Sequence, residues 1–310
     1  MSVLLLTHPS GLAHENGEDH PECPDRLRAV MAALEAEEFA CLVRDVAPPA
    51  TEDQLCLAHP AEYVRWILSI RPQPGHFTPL DGDTAMNHAS AEAALHAAGA
   101  AVAAVDAVCA DDSIRRAFCA TRPPGHHAEP RRAMGFCLFG NAVIAARHAQ
   151  RAHGLGRVAI LDFDVHHGNG TQAAVWDDPT ILFASSHQSP CYPYTGAEEE
   201  RGAAGNIFNA TLPPGADGTA FRAAWAQRLL PAVEAFAPEL LVISAGFDAH
   251  ARDPLAQLRV READFGWLTD EICRIADRLC GGRVVSLLEG GYDLEALAAS
   301  TAAHLRALMG

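Results

Sequence analysis

Residues 160–170 read ILDFDVHHGNG, so two aspartates and two histidines crowd the end of an apolar run. Side chains on an extended segment alternate, which gives Asp162, Asp164 and His166 one direction and His167 the other. Asp164 and His166 are thereby placed to chelate one cation, with a third ligand arriving from another strand end. Asp248, in the stretch SAGFDAH, is the best candidate. Two carboxylates and an imidazole leave a fourth position open for water, the mark of a catalytic rather than a structural zinc site.

The stretch RPPGHH adds an acid/base pair. Its two prolines stiffen the chain and Gly125 permits an unusual turn, so the loop can fix both imidazoles. Histidine titrates near neutrality and suits removal of a proton from a metal-bound water. One of His126 and His127 can act as base while the other, held charged by a carboxylate such as Asp162, stabilises negative charge. In LEGGY, Gly290 and Gly291 let backbone approach a ligand, and the Tyr292 hydroxyl can donate to a developing oxyanion. A lone D-x-H or GGY is more often a cap or a packing turn; these become informative in company.

Such residues need a frame that brings distant segments together. Six short apolar runs end in Gly, Asp or His: 3–8, 117–127, 158–167, 180–188, 240–250 and 284–292. Between them lie alanine-rich segments with apolar positions at helical spacing, 89–109, 140–154, 221–236 and 263–280. Strands without alternation, separated by helices, indicate a mostly parallel sheet covered on both faces, a three-layer α/β architecture. Ligands in such sheets bind beyond the carboxyl ends of the strands, where all the polar residues named above collect.

Composition narrows the function further. The formal net charge is -16, so the long-range field repels nucleic acid and anionic membrane and favours a cationic ligand or one carried on a cationic partner. The chain has no lysine, which excludes Schiff-base, pyridoxal phosphate and P-loop chemistry. Nine scattered cysteines without a C-x-x-C pair suit reduced thiols. The N-terminal apolar run is too short for a signal peptide, and no stretch approaches the roughly 20 apolar residues of a membrane span. These features predict a cytoplasmic protein of one domain over residues 1–310, with no nucleic-acid or membrane partner. A homo-oligomer stays open.

Together HPECPDRL, RPPGHHAE, GFCLFGNAVIAA, LDFDVHHGNGTQ, SAGFDAHARDPLA and LEGGYDLEAL resemble the zinc-dependent histone deacetylase superfamily. RPPGHHAE and HHGNGT are similar to its class II branch, which includes bacterial histone-deacetylase-like amidohydrolases and acetylpolyamine amidohydrolases. The match runs from about Thr7 to Leu297. The resemblance implies the arginase/deacetylase fold and zinc on Asp164, His166 and Asp248. It implies His127 as general base and then acid, His126 as electrostatic partner near Asp162, and Tyr292 as donor to the substrate carbonyl. Potassium is implied on Asp162, Ser185 and the backbone carbonyls of Asp164, His166 and Ser186. Gly135, Phe136 and Tyr192 match positions lining an acyl-lysine tunnel, with Leu255 at its rim. Three departures stand out. Asn169 replaces the aspartate that partners the second histidine in class I members, making His127 less basic. Tyr194 replaces the glycine of a Y-P-G-T-G motif. Ala263, beside Glu262, falls where polyamine-selective members carry a gatekeeper glutamate.

The activity implied is zinc-assisted hydrolysis of the acetyl amide of an acetylated lysine side chain of a protein, or of an acetylated small amine. An acetylpolyamine amidohydrolase is the alternative. A binuclear manganese ureohydrolase needs a second carboxylate and histidine set, and GFDAH offers His250 there instead. A non-catalytic binder of acetylated ligands has no need of Tyr292 or the histidine pair.

Overall fold

Apolar runs set the sheet. In the computed structural model, which describes residues 2–110 and 113–310, eight strands form one sheet. They are β1 Ser2–Thr7, β2 Val43–Val46, β3 Ile114–Ala120, β4 Val158–Asp162, β5 Ile181–Gln188, β6 Ile207–Leu212, β7 Leu240–Ala245 and β8 Val284–Leu288. Their order is β2-β1-β3-β8-β7-β4-β5-β6, and every pairing is parallel. The architecture is three-layer α/β, a parallel sheet flanked by helices, as the resemblance implies.

Six strands coincide with the apolar runs, and all but β5 stop earlier, at Ala120, Asp162, Ala245 and Leu288 in the central four. The residues beyond, which carry the chemistry, are loop. β2 and β6 are absent from the sequence-based expectation, and both are edge strands. All four residues of β2 are exposed and β6 has only some of its side chains fully buried, so neither reads as a continuous apolar run.

Alternate strand residues feed two cores. Val3, Leu5, Phe118, Leu161 and Ile243 point into one, covered by α1 (Pro24–Ala33), α4 (Glu262–Leu279) and α5 (Leu294–Met309). Leu4, Leu6, Cys119, Ile160 and Val242 point into the other, beneath α2 (Ser90–Ala110) and α3 (Asn141–His153). Helix α3 ends where expected because Gly154 takes a left-handed φ of 68° as its cap. The expected helix over 221–236 forms and runs without a break from 218 to 236, with a π turn at Trp225–Leu229 just before Pro231. One expectation fails outright: α2, with 21 residues and a mean hydropathy of 1.7, is long and apolar enough to cross a membrane. Its alanines instead let it lie close against α3 and β3, and 61% of its apolar window is buried inside the protein.

Candidate active site at the carboxyl edge of the sheet

Strands β3, β8, β7 and β4 are consecutive across the middle of the sheet, and the loop after each delivers one part of the site. These loops carry, in that order, Gly125–His127, Glu289–Tyr292, Asp248 and Asp164–His166. Segments more than 160 residues apart in sequence meet because parallel neighbours present their carboxyl ends together.

Asp164, His166 and Asp248 converge. His166 Nδ1 lies 3.0 Å from Asp164 Oδ1 and 3.1 Å from Asp248 Oδ2, and all three side chains are buried. Backbone donors hold the carboxylates: Gly290 N–H donates to Asp164 Oδ2 at 2.8 Å, His166 N–H to Asp164 Oδ1 at 2.9 Å and Val165 N–H to Asp248 Oδ1 at 2.8 Å. Glycine is required on two sides. A Cβ at Gly290 would lie 2.1 Å from Asp248 Oδ2, and one at Gly246 would lie 2.0 Å from Asp164 Oδ2. Burial and the neighbouring charge of Asp164 push Asp248 up to about 7. Burial opposes a charged His166, but its hydrogen bonds to Asp164 and Asp248 outweigh that and raise it. Two buried acids beside one imidazole call for positive charge, and a mixed nitrogen and oxygen donor set suits a zinc-type divalent ion.

Asp162 lies against His126, as expected, and outside the cluster of Asp164, His166 and Asp248. Strand β4 ends at Asp162: Asp164 N–H turns back to Asp162 Oδ1 at 3.1 Å, while Asp162 Oδ2 sits 3.0 Å from His126 Nδ1. Ser185 is the register partner of Asp162 across β4 and β5. Its hydroxyl lies 3.0 Å from His187 Nδ1, and the Ser186 hydroxyl accepts from Trp225 Nε1 at 2.9 Å. The side-chain oxygens named for potassium therefore already have protein partners.

His126 and His127 lie side by side, ring centroids 4.0 Å apart, and their environments separate them. Burial would lower His126, but the carboxylates of Asp164 and Asp162 overcome it and push it up to about 10. Burial, then the positive neighbours His126 and His166, hold His127 well below its ordinary value. One imidazole is thus charged beside a neutral one. His127 Nδ1 donates to Asn169 Oδ1 at 2.8 Å, and Asn169 Nδ2 donates to Glu129 Oε1 at 2.8 Å. The Glu129 contact orients the amide, and the amide leaves the lone pair of His127 on Nε2.

A recess of about 230 Å³ leads to this centre. Gly135, Phe136, Tyr192 and Leu255 line it together with His127, His166 and Tyr292; Pro21 and Asp83, which sequence reasoning passed over, complete the wall. Phe136 holds a left-handed φ of 69° and its N–H donates to Thr84 Oγ1 at 2.9 Å, a strained conformation kept for the ring it presents. The Tyr192 ring meets His127 edge-on at 5.2 Å, and its buried hydroxyl has no hydrogen-bond partner among the described residues. Neither Glu262 nor Ala263 lines the recess, and Glu262 Oε1 lies 3.2 Å from His250 Nε2. Tyr194 is 81% exposed at a φ of 64°.

The Tyr292 loop rests on a buried ionic network that the sequence reading missed. Arg26 Nε donates to Gly291 O at 2.6 Å and Arg26 Nη2 to Glu289 O at 2.5 Å, while its guanidinium lies 4.9 Å from the Tyr292 ring centre. Glu22 pairs with both Arg26 and Arg122. Burial holds the Tyr292 hydroxyl well above its ordinary value, which keeps it a donor. Glu289 Oε2 accepts from Gly125 N–H at 2.6 Å and His126 N–H at 3.2 Å, coupling the tyrosine loop to the histidine loop. Asp253 Oδ2 accepts from Tyr292 N–H at 2.7 Å and its Oδ1 from Leu255 N–H at 3.0 Å, coupling the same loop to the rim. The contacts that join the loops span 39 to 265 residues of sequence, and only the fold reveals them.

The histone deacetylase domain model matches residues 20–308. Over 99% of its length the chain is 41% identical to histone deacetylase 14, chloroplastic, of Arabidopsis thaliana, covering 77% of that protein. It is 41% identical to the histone deacetylase-like amidohydrolase of Pseudomonas aeruginosa, covering 88% of this chain and 73% of that one. The crystal structure of the HDA15 HD domain superposes with a TM-score of 0.91 at 35% identity, covering 99% of this chain and 88% of that one.

Proposed function

The chain belongs to the histone deacetylase family of amide-bond hydrolases, and on that premise we propose that it removes the acetyl group from N-acetyl-lysine, or from a related acylated amine, with zinc. The observation that carries this reading is the convergence of Asp164, His166 and Asp248 at the foot of a recess that also holds a neutral and a charged imidazole and a tyrosine. Asp164, His166 and Asp248 are the residues that would hold the ion. When bound, zinc polarises the acetyl carbonyl and makes a water acidic enough to attack at neutral pH.

The chain's own groups do the rest. His127 Nε2, unprotonated because Nδ1–H is committed to Asn169, takes the proton of the attacking water. His126, kept charged by Asp162, faces the negative charge that develops and is not itself consumed. Tyr292 donates its hydroxyl proton as a hydrogen bond to the former carbonyl oxygen. His127 then gives its proton to the departing nitrogen, so acetate and a free amine leave. Phe136 and Tyr192 supply apolar walls suited to an unbranched aliphatic chain, and the acidic surface charge favours an amine-bearing substrate. A potassium ion beside the zinc would use Asp162, Ser185 and the carbonyls of Asp164, His166 and Ser186. Action in the cytoplasm on acetylated proteins or small amines completes the proposal.

A glutamate at the recess would favour acetylated polyamines; Asp83 is the acid that lines it, and Glu262 is paired with His250. A binuclear ureohydrolase would need more ligands at the centre, but Asp162 is turned to His126 and His250 to Glu262. Zinc-loaded protein should release acetate from acetyl-lysine peptides in preference to acetylated polyamines and lose this on chelation. Tight binding of acetylated ligands without acetate release would overturn the enzymatic reading.

A further inference from the structure

We propose that the chain carries a second divalent-metal site, formed by Asp106 of α2 with His148 and His153 of α3, that takes zinc or a similar transition ion. Nε2 of His148 and Nε2 of His153 each lie 2.7 Å from the same oxygen, Asp106 Oδ1. The three ligand atoms fall within 4.8 Å of one another, as do those of Asp164, His166 and Asp248. The two rings are 5.8 Å apart and inclined at 78°, so they approach one point from different directions. The contrast with His8 and His96 is direct: those rings stack at 3.4 Å and 4° and share no focus.

Exposure explains which kind of site this is. The side chains of His148 and His153 are 12% and 23% exposed, whereas that of Asp106 is 52% exposed. The imidazoles are sheltered by packing and the carboxylate faces solvent, so a bound ion keeps an open corner for water. Ligands on one zinc sit about 2.0–2.2 Å from it, which requires the 2.7 Å contacts to open slightly around the ion, and a half-exposed aspartate can make that adjustment. Nitrogen donors disfavour magnesium and calcium and favour zinc, nickel or copper, and the net charge of -16 concentrates cations near the surface.

The site joins two helices that bracket the histidine loop in sequence, since α2 precedes β3 and α3 begins just after that loop. Asn141, at the start of α3, abuts Gly125, whereas His153 lies at the far end, about 18 Å along the axis at 1.5 Å per residue. An ion there clamps α2 to α3 without reaching the reacting atoms. It acts on stability and leaves turnover alone.

The test is zinc titration of chelator-stripped protein, with bound metal counted per chain and Tm recorded. Wild type should bind two equivalents, and the His148→Ala/His153→Ala variant one, with unchanged turnover at one equivalent. Asp164→Ala should keep the outer equivalent and the zinc-dependent rise in Tm, which the histidine variant should lose. One equivalent in wild type, or two in the histidine variant, overturns the proposal. The site does not rest on the deacetylase reading: two equivalents bound without acetate release would sink that reading and leave this one standing.

Discussion

Two clusters in this protein gather the same donor types, carboxylate oxygen and imidazole nitrogen, within the same 4.8 Å. Asp164, His166 and Asp248 are buried and pinned by backbone N–H groups of Val165, His166 and Gly290. Asp106, His148 and His153 lie on the helical surface, with the carboxylate half in water. The difference teaches what burial adds. Removed from water, two carboxylates cannot both stay charged without a cation, so the inner cluster is poised to bind and to share charge with His126 and His127. The outer one has the ligands and none of that tension.

Removing the inner charge should have the largest effect. Asp248→Ala takes away a ligand and the acceptor of Val165 N–H, and turnover should fall by more than the ~10²–10³-fold lost with one oxyanion donor. Metal analysis should show the inner equivalent gone. Near-normal acetate release from such a variant would end the mechanism proposed above. Tyr292→Phe comes next, with turnover down about 10²–10³-fold and zinc content unchanged. Equal loss of metal and turnover in that variant would make Tyr292 a structural residue.

Asn169 separates charge from position within the buried cluster. Asn169→Ala frees His127 Nδ1 and should cost about 10–100-fold in turnover. Asn169→Asp keeps the hydrogen bond but adds a negative charge beside His127, stabilising its protonated form. The base is then protonated at higher pH, and the acid limb of kcat/KM should move upward in pH. A profile that stays put would mean that His127 does not act as the base.

The inner cluster was legible in the sequence because each of its members ends an apolar run, and parallel strands make run ends meet. Asp162, expected beside the histidine pair, does lie 3.0 Å from His126. Edge strands β2 and β6 escaped because β2 is exposed throughout and β6 is interrupted by Asn209 and Thr211, so neither carries a continuous apolar signal. In the network of Glu22, Arg26, Arg122 and Glu289 only the i,i+4 pair of Glu22 and Arg26 is visible in spacing, because the other members come from two distant strand ends. Asp106, His148 and His153 escaped for a related reason: two helices must pack before residues 42 and 47 positions apart meet.

His304 isolates the smallest and cleanest part of the comparison, the cost of burying an imidazole with no carboxylate against it. It is fully buried between Thr269 Oγ1 at 2.6 Å and Ser286 Oγ at 2.8 Å, and burial pushes it down to about 3 from 6.5. His126, equally buried, is pushed up to about 10 only because Asp164 and Asp162 lie against it. A group depressed on folding contributes stability that is complete above its unfolded value and lost as pH falls toward its folded one. Between pH ~6.5 and ~3 the unfolded chain therefore holds one more proton at residue 304 than the folded chain. That proton favours the unfolded chain, so stability falls by about 1.4 kcal/mol for each pH unit of acidification in that range. In His304→Gln the amide can keep a hydrogen bond without titrating, so its stability should fall less steeply with acid, by about that amount per unit, in paired denaturant titrations at pH 5 and 6. Parallel slopes for the two proteins would mean that His304 is protonated inside the fold, and burial alone would then not separate the charged imidazole from the neutral one.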